Sequence, residues 1–512
     1  MPKLTPVRPY IASARSLLER IGITARAALV LVLLGLCLTV SPANADVGVL
    51  LNESLDTSFA RISGSGHSAV YFSRICPESP VKLRLCRPDE QGSVMSNYTT
   101  LGEDQPFEWN IIPLSIYLYG VEDPRNRPLF GSQKIKHALE ERYRANYLSG
   151  YCESARCRTS NGAEWREMVG ATLERSIYLF VVETSVDQDR AFIAQFNSLP
   201  NQNHFNGITQ NCATFVRRII NSYYPHATRA DYLNDFGLIT PKAIARSFTR
   251  YSDRHPEARL RVLHFAQLPG TIKRSSECRN GTEQLYRSKK LLVPMVLFAP
   301  HELPFMAASY LLTGRFNPGH ELEQHPSAEA SDIKLEIREA KAENDVSRKE
   351  QLEAIVSEEG AQLVGTAEEW KEYREAFVPL ADDAISREII PNRDFGRLFK
   401  NLDRAGTLSV DANGALWLEI AQGGKPSKIG LSASNIFASG TDPQLAYALT
   451  LARANHYLNS PKHSREIMPD FKNDWALLQS ARLNNSTSAV ANNNLPSGTA
   501  RPTPVTFRPI QY

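Results

Sequence analysis

The stretch "FNGITQNCATFVRRII", residues 205–220, places Cys212 at the start of an apolar run with helical periodicity. Unpaired N–H groups in the first turn of a helix stabilise a thiolate, and a nearby imidazole lowers the pKa of a thiol further. His67 is the strongest candidate for that imidazole, because it follows the Gly/Ser-rich "SGSG" and begins the strand-like "HSAVYF". Backbone N–H groups around Cys212 would also supply an oxyanion hole. These residues predict a thiol nucleophile that attacks a carbonyl carbon.

A Gly-His pair at a strand start, followed far along the chain by Asn-Cys at a helix start, resembles the circularly permuted branch of the NlpC-type papain-like thiol hydrolases. In that branch, which includes lecithin:retinol acyltransferase-like enzymes, the histidine precedes the cysteine. The chain is more closely similar to a family of bacterial periplasmic domains of largely unknown function, over about residues 46–230. The shared pattern is a strand, a helix ending near "FNSL", a loop and then "NCATFVRRII". The resemblance implies Cys212 as nucleophile and His67 as general base and acid.

The third, orienting residue of such a site would lie on a strand after His67. Asn97, in "VMSNYTT", is our candidate, because an amide can accept a hydrogen bond from the imidazole and fix its tautomer. Asp89 and Glu90 are alternatives, although they belong to the turn-like "RPDEQG". His204, in the loop before the nucleophile, is either a surface residue or part of the cleft lining.

Cysteine usage separates two local pairs from two leftover thiols. Without Cys37, which lies in the N-terminal apolar run, six cysteines remain. Four of them form close pairs, Cys76 with Cys86 and Cys152 with Cys157. Disulfides are favoured over a zinc site, because neither pair has two-residue spacing and no histidine lies nearby at ligand spacing. Cys212 and Cys278 are left over, so a disulfide between them is the main rival to catalysis. We expect no cofactor and no metal ion.

Residues 1–45 are typical of an export signal. A basic n-region leads into "AALVLVLLGLCLTV", and Ala43 and Ala45 give the A-x-A pattern for cleavage after Ala45. An uncleaved anchor is the alternative, but the apolar run is shorter than the roughly 20 residues that a membrane span needs. We therefore expect an exported protein of the periplasm or cell envelope, where disulfides persist.

The charge balance of the exported portion argues against nucleic acid as a partner. The chain of 512 residues has 58 basic and 55 acidic residues, but residues 1–45 contain five of the basic ones and one of the acidic ones. The remainder has 53 basic and 54 acidic residues, a net charge of −1. Such a balance gives no global attraction to nucleic acid or to anionic lipid.

Together with the resemblance, the hydrophobic patterning predicts an α+β fold, a permuted papain-like core in which an antiparallel sheet packs on the nucleophile helix. Strand patterns fill 46–130 and recur at 176–184, whereas helix patterns lie at 132–149, after Ser185 and from Cys212. The expected organisation is a signal peptide at 1–45, a papain-like domain with a helical extension at 46–318, a charged helical connector at 319–380, a small C-terminal module with α and β elements at 381–480 and a disordered tail at 481–512.

Residues 291–312, "LLVPMVLFAPHELPFMAASYLL", are the most apolar stretch after the signal. Three prolines, His301 and Glu302 interrupt it, which argues against a simple membrane-spanning helix. A packed pair of short helices is one interpretation, and a segment that contacts a membrane surface is the other.

The sequence thus predicts an exported cysteine-dependent hydrolase or acyltransferase that acts on an amide or ester in the envelope. Peptidoglycan peptides, lipoproteins and lipid acyl groups are the substrate classes that this location offers. The alternative, from a different class, is a non-catalytic envelope scaffold or maturation factor that uses the same core as a binding platform. The state of Cys212, free and reactive or bonded to Cys278, distinguishes the two.

Overall fold

The computed structural model describes the chain from Ala45 to Ala481, with gaps. The predicted signal segment, apart from Ala45, lies outside the described residues, as do residues 326–366 and residues 482–512. The described residues are 45–55, 65–88, 90–97, 107–129, 131–153, 155–158, 164–202, 210–235, 237–287, 289–298, 300–325, 367–395, 397–398, 400, 406–411, 416–422, 425–431, 443–459, 471–472 and 474–481.

A domain of strands and helices is built from the first half of the chain. Its strands are β1 (Ala45–Asn52), β2 (His67–Phe72), β3 (Ile75–Ser79), β4 (Lys82–Leu85), β5 (Ser93–Ser96), β6 (Asn110–Pro113), β7 (Ile177–Thr184) and β8 (Arg261–Phe265). The main sheet has the order β6–β5–β2–β1–β7–β8, and β3 pairs with β4 in a separate ribbon. The pairings of β2 with β1 and with β5, of β5 with β6 and of β7 with β8 are antiparallel. An α+β fold with an antiparallel sheet is confirmed.

The helices follow the local signals in the sequence. They are α1 (Leu114–Tyr119), α2 (Gln133–Tyr147), α3 (Ala155–Arg158), α4 (Val186–Ser198), α5 (Cys212–Tyr223), α6 (Pro241–Arg254), α7 (Gly281–Arg287), α8 (Lys289–Phe298), α9 (Glu302–Ser309), α10 (Pro318–Gln324), α11 (Ala367–Ser386) and α12 (Pro443–Leu458). Ser132 caps α2, and Ser185 forms a capping box with Gln188 at the start of α4. The helices predicted at 132–149 and after Ser185 are therefore confirmed.

Two faces of the main sheet bury separate apolar clusters, because successive strand residues point to opposite sides. We call the side that packs against α4, α5 and α6 the thiol face; it buries Val49, Leu51, Val70, Phe72 and Phe180. The other side, the distal face, packs against α1 and α2; it buries Leu50, Ala69, Val94, Ile112 and Leu179. A residue's parity along a strand therefore decides which helices it meets.

The second half of the chain adds a three-stranded antiparallel sheet of β9 (Gly406–Val410), β10 (Leu416–Gln422) and β11 (Lys425–Gly430), in the order β11–β10–β9. The strands and the helix α12 that the sequence predicts here are present, and the Asn-Gly turn between β9 and β10 lies outside the described residues. These elements share one apolar cluster with the distal face. The C-terminal region therefore packs with the first domain in a common core.

Helix α11 differs from the solvated connecting arm predicted for 319–380. Trp370, Phe377, Leu380 and Ala384 are buried in the shared core. The Glu- and Lys-rich composition of this segment concealed an apolar stripe, because the exposed face of an amphipathic helix carries most of its charge. The helix also crosses the boundary expected at residue 380.

Two disulfides close the short loops that the sequence predicts. Cys76 bonds Cys86, and Cys152 bonds Cys157. Cys212 and Cys278 are free thiols, so the rival disulfide between them is not formed. No helix among the described residues combines the length and the apolar character that crossing a membrane requires.

Candidate active site

Helix α5 holds Cys212 at its first position. The N-cap residue Asn211 accepts a hydrogen bond from the Thr214 N–H at 2.9 Å, and its amide donates to the Ile239 carbonyl at 3.0 Å. The apolar stripe of α5 is buried on the thiol face and consists of Phe215, Val216, Ile219, Ile220 and Tyr223. Burial of such side chains stabilises the fold by about 1.5–3 kcal/mol each. The cap and the stripe together fix the sulfur at the polar end of the sheet.

The Cys212 sulfur faces a cluster of hydrogen-bond donors. The N–H of Ser68 and the N–H groups of Cys212 and Ala213 favour the thiolate. Burial of the sulfur has the larger effect and raises the pKa of the Cys212 thiol above its ordinary value. The residue as a whole is partly exposed to solvent. The expectation that helix placement would lower this pKa is wrong for the described conformation, because desolvation outweighs the N–H donors.

His67 begins β2 and is buried. Its Nε2 atom lies 3.0 Å from the Ser96 hydroxyl oxygen, within hydrogen-bond distance. Burial, followed by the positive charge of Arg175, lowers the pKa of His67 to about 3, while Glu167 acts in the opposite direction. The imidazole is therefore neutral at physiological pH.

The predicted partners belong to different faces of β2. His67 has the parity of Ala69, which is buried on the distal face, whereas Ser68 has the parity of Val70 on the thiol face. Helix α5 packs on the thiol face, so Ser68 is the β2 residue that meets Cys212. The imidazole lies within hydrogen-bond distance of Ser96, and the groups that favour the Cys212 thiolate belong to Ser68, Ala213 and Cys212 itself. The structure brings Cys212 and His67 to the same end of the sheet, and their catalytic roles remain a prediction.

Asn97 lies beside the cluster and does not contact the imidazole ring through its oxygen. The residue is buried, and its Oδ1 atom makes no hydrogen bond to a described residue. Continuing the β2–β5 register by two steps beyond the paired residues sets Asn97 opposite Ser68. Ser96, not Asn97, is the described partner of His67.

Of the alternatives to Asn97, Glu90 is a described residue. Glu90 forms a two-pronged ion pair with Arg84, at 2.6 Å for each contact, and this hydrogen bonding lowers the pKa of Glu90 to about 2. Asp89 and His204 fall outside the described residues. The carboxylate of Glu90 therefore binds Arg84.

A buried polar floor that the sequence did not predict lies under His67. Tyr117 donates a hydrogen bond to Asn52 Oδ1 at 2.9 Å, and the Asn52 amide donates to the His67 carbonyl at 3.4 Å. The Cys278 thiol donates to the Asn52 carbonyl at 3.0 Å, and burial raises the pKa of that thiol. The β1–β2 pairing register would have identified Asn52 as a neighbour of His67, because the two residues pair directly in that ladder.

The strand ends around this floor meet at one end of the sheet. Asn52 ends β1 opposite His67, and Ser96 ends β5 opposite Asn110 at the start of β6. Cys212 begins α5 beside them. The chain segments that connect these ends, 56–64, 98–106 and 203–209, fall outside the described residues.

A metal centre at the cysteine pairs does not fit the structure. Among the described residues, the group with suitable ligand spacing is Cys76, Cys86 and Glu90. Both cysteines are in a disulfide and cannot offer thiolates. The zinc alternative based on the two close pairs therefore lacks its ligands.

Comparisons with known proteins add no identification. The chain matches no protein-family model, and neither the curated proteins nor the solved structures contain a significant match.

Proposed function

We propose that the sheet domain is an exported cysteine-dependent hydrolase or acyltransferase of the permuted papain-like class, acting on an amide or ester of the bacterial envelope. The single observation that carries this proposal is the position of Cys212, which begins a capped helix and directs its sulfur at Ser68, the residue that follows His67. A site of this class needs its nucleophile at the N-terminus of a helix that packs next to the start of the strand carrying the histidine.

In the proposed reaction, the Cys212 thiol gives its proton to the His67 imidazole while the sulfur attacks the substrate carbonyl carbon. The resulting tetrahedral intermediate collapses as the imidazolium protonates the departing amine or alcohol, which leaves a thioester on Cys212. Water, or a second nucleophile in an acyl transfer, then gives a proton to His67 as it attacks the thioester, and the imidazolium passes that proton to the sulfur as the acid or the new acyl product leaves. The sulfur thus loses one proton to the first leaving group and regains one from the second nucleophile within each cycle.

The donors around the sulfur suit the negative charge of that intermediate. The N–H of Ser68 and the N–H groups of Cys212 and Ala213 already point toward the sulfur. A carbonyl carbon bonded to this sulfur would place its oxygen near the same donors. Removing one such donor typically costs about a hundredfold or more in rate.

The described conformation corresponds to a resting state in this proposal. The raised pKa of Cys212 and the lowered pKa of His67 both favour a neutral thiol beside a neutral imidazole. Catalysis requires His67 to leave the Ser96 hydroxyl and reach toward the sulfur. Catalytic hydrogen bonds in unliganded enzymes often tighten only when substrate binds.

The second candidate is a non-catalytic binding platform in the envelope. The observation that favours it is the distal-face orientation of His67 and its hydrogen bond to Ser96. In a platform, the imidazole would be a permanent part of the buried polar floor, and Cys212 would be a packed thiol.

Exposure to an activated short-chain ester, followed by mass spectrometry, separates the two candidates. An acyl enzyme should accumulate on Cys212, and His67→Gln should slow its formation by about a hundredfold or more. Cys278→Ser is the matched control, because it removes the other free thiol, which is buried, and should leave acylation unchanged. A platform would show no acylation of Cys212, or equal acylation in the His67→Gln variant.

A further inference from the structure

The segment formed by helices α8 and α9 and the helical turn Tyr310–Gly314 exposes apolar side chains to an unusual degree. Phe298 is 84% exposed and Leu312 is 81% exposed. Among the side chains that the structure describes here, the other large exposed members of this apolar surface are Val293, Val296, Leu297, Phe305 and Leu311. Soluble proteins rarely leave so many large apolar side chains exposed together, and such patches mark interaction sites.

The segment is fixed to the domain, so its exposure is a built feature of the fold. The Tyr310 hydroxyl donates to Glu283 at 2.8 Å, and the Tyr286 hydroxyl donates to the Leu303 carbonyl at 2.9 Å. Asn280 holds the far end through the Gly314 carbonyl at 3.1 Å. Glu283 is itself paired with Lys242 at 2.7 Å. These contacts hold the apolar surface outward.

The sequence that flanks the apolar segment is basic, in contrast to the net charge of −1 for residues after 45. Arg287, Lys289 and Lys290 precede the apolar run of α8, and Arg315 follows the helical turn. Between these positions, the segment has one acidic residue, Glu302. Basic residues that flank an apolar helical surface complement the negative charge of anionic lipid headgroups, at about 1 kcal/mol for each residue near the bilayer.

We propose that residues 289–314 seat the domain on the surface of a bilayer that contains anionic phospholipid, with the apolar surface among the headgroups and upper acyl chains. A spanning arrangement does not fit, because α8 has ten residues and is therefore about 15 Å long, half of a hydrocarbon core. His301 and Glu302, both largely exposed between the helices, remain at the headgroup level in this orientation. Membrane binding by this surface does not require catalysis by Cys212.

The test is sedimentation of the chain from Asp46 onward with vesicles of phosphatidylcholine, with and without roughly one-third phosphatidylglycerol. We expect binding to the anionic vesicles that weakens as salt is raised. The triple variant Leu297→Ser, Phe298→Ser and Leu312→Ser should lower the bound fraction about tenfold or more. Leu199→Ser is the matched control, because Leu199 is 55% exposed outside this segment, and it should bind as the unchanged protein does.

Circular dichroism of the triple variant verifies its fold, since all three side chains are exposed. Absence of vesicle binding by the unchanged protein would overturn the proposal, as would equal binding by the triple variant. Light scattering that shows a dimer disrupted by the triple variant, without vesicle binding, would assign the surface to a second copy instead and would also overturn it.

Discussion

The Cys212 sulfur lies against Ser68, whereas His67, the neighbouring residue on β2, directs its imidazole to Ser96 on the other side of the sheet. One step along a strand therefore separates the residue that meets the thiol from the residue that would activate it. The imidazole of His67, the cap of α5 and the buried carboxyl group of Asp235, which precedes α6, each have a measurable consequence.

Ser96→Ala removes the hydrogen bond that holds His67 in its resting position. We expect acylation of Cys212 by an activated ester to become several-fold faster, because the imidazole is freed to approach the sulfur. Stability should fall by about 1 kcal/mol for the lost hydrogen bond. Ser93→Ala is the matched control, since Ser93 is on the same strand and its hydroxyl bonds Ile75 without touching His67. Slower acylation in Ser96→Ala would instead make Ser96 an orienting residue.

The pH dependence of stability should report the buried imidazole. A histidine whose folded pKa is lowered contributes stability that is present above its unfolded pKa, near 6.5, and is lost as the pH falls toward 3. Relative to His67→Gln, the unchanged protein should lose about 2 kcal/mol of unfolding free energy between pH 7 and pH 5. Urea unfolding at the two pH values measures this difference. Parallel curves for the two proteins would mean that His67 is solvated.

Asp235 should produce the opposite trend. Burial raises the pKa of Asp235 to about 6, although the Gly281 N–H and the Thr240 hydroxyl oppose the shift. A carboxyl group with a raised folded pKa contributes stability below its unfolded pKa that is lost as the pH rises through 6. Relative to Asp235→Asn, the unchanged protein should lose about 2 kcal/mol between pH 4 and pH 7. Chemical denaturation across that range tests the sign, and a gain of stability with pH would contradict it.

The acceptor and donor roles of Asn211 in the cap of α5 can be separated by substitution. Asn211→Ala should lower the unfolding free energy by about 1–2 kcal/mol, because it removes both the acceptor for Thr214 and the donor to Ile239. Asn211→Asp keeps the acceptor and should retain more of that stability. Its carboxylate should also raise the pKa of Cys212 and slow alkylation by iodoacetamide at a fixed pH. Equal alkylation rates in Asn211→Asp and the unchanged protein would show that a charge at residue 211 does not affect the pKa of the Cys212 thiol, which would contradict this prediction.

The sequence predicted local elements well, because their signals are short in range. Ser132 and Ser185 mark helix starts, and residues 177–182 of β7 form a continuous apolar run. The pairing of Cys76 with Cys86 needed only a short loop. Such features depend on neighbours along the chain, and the structure confirms them.

The arrangement of the candidate site required information that spacing alone does not provide. Choosing between His67 and Ser68 as the neighbour of Cys212 depends on which face of the sheet receives α5. The contact between His67 and Ser96 depends on the β2–β5 register. The raised pKa of Cys212 depends on how deeply the sulfur is buried. The position of a residue at the start of a helix does not predict that burial. Tertiary packing decides all three.

The most direct test of the account is the distance between the Cys212 sulfur and the His67 ring in a crystal structure of the chain carrying a stable carbonyl adduct on Cys212. We predict that the His67 imidazole leaves Ser96 and lies within hydrogen-bond reach, about 3.5 Å, of the sulfur or of the leaving-group position. An imidazole still bonded to Ser96, on the distal face of an adduct-bearing protein, would contradict it.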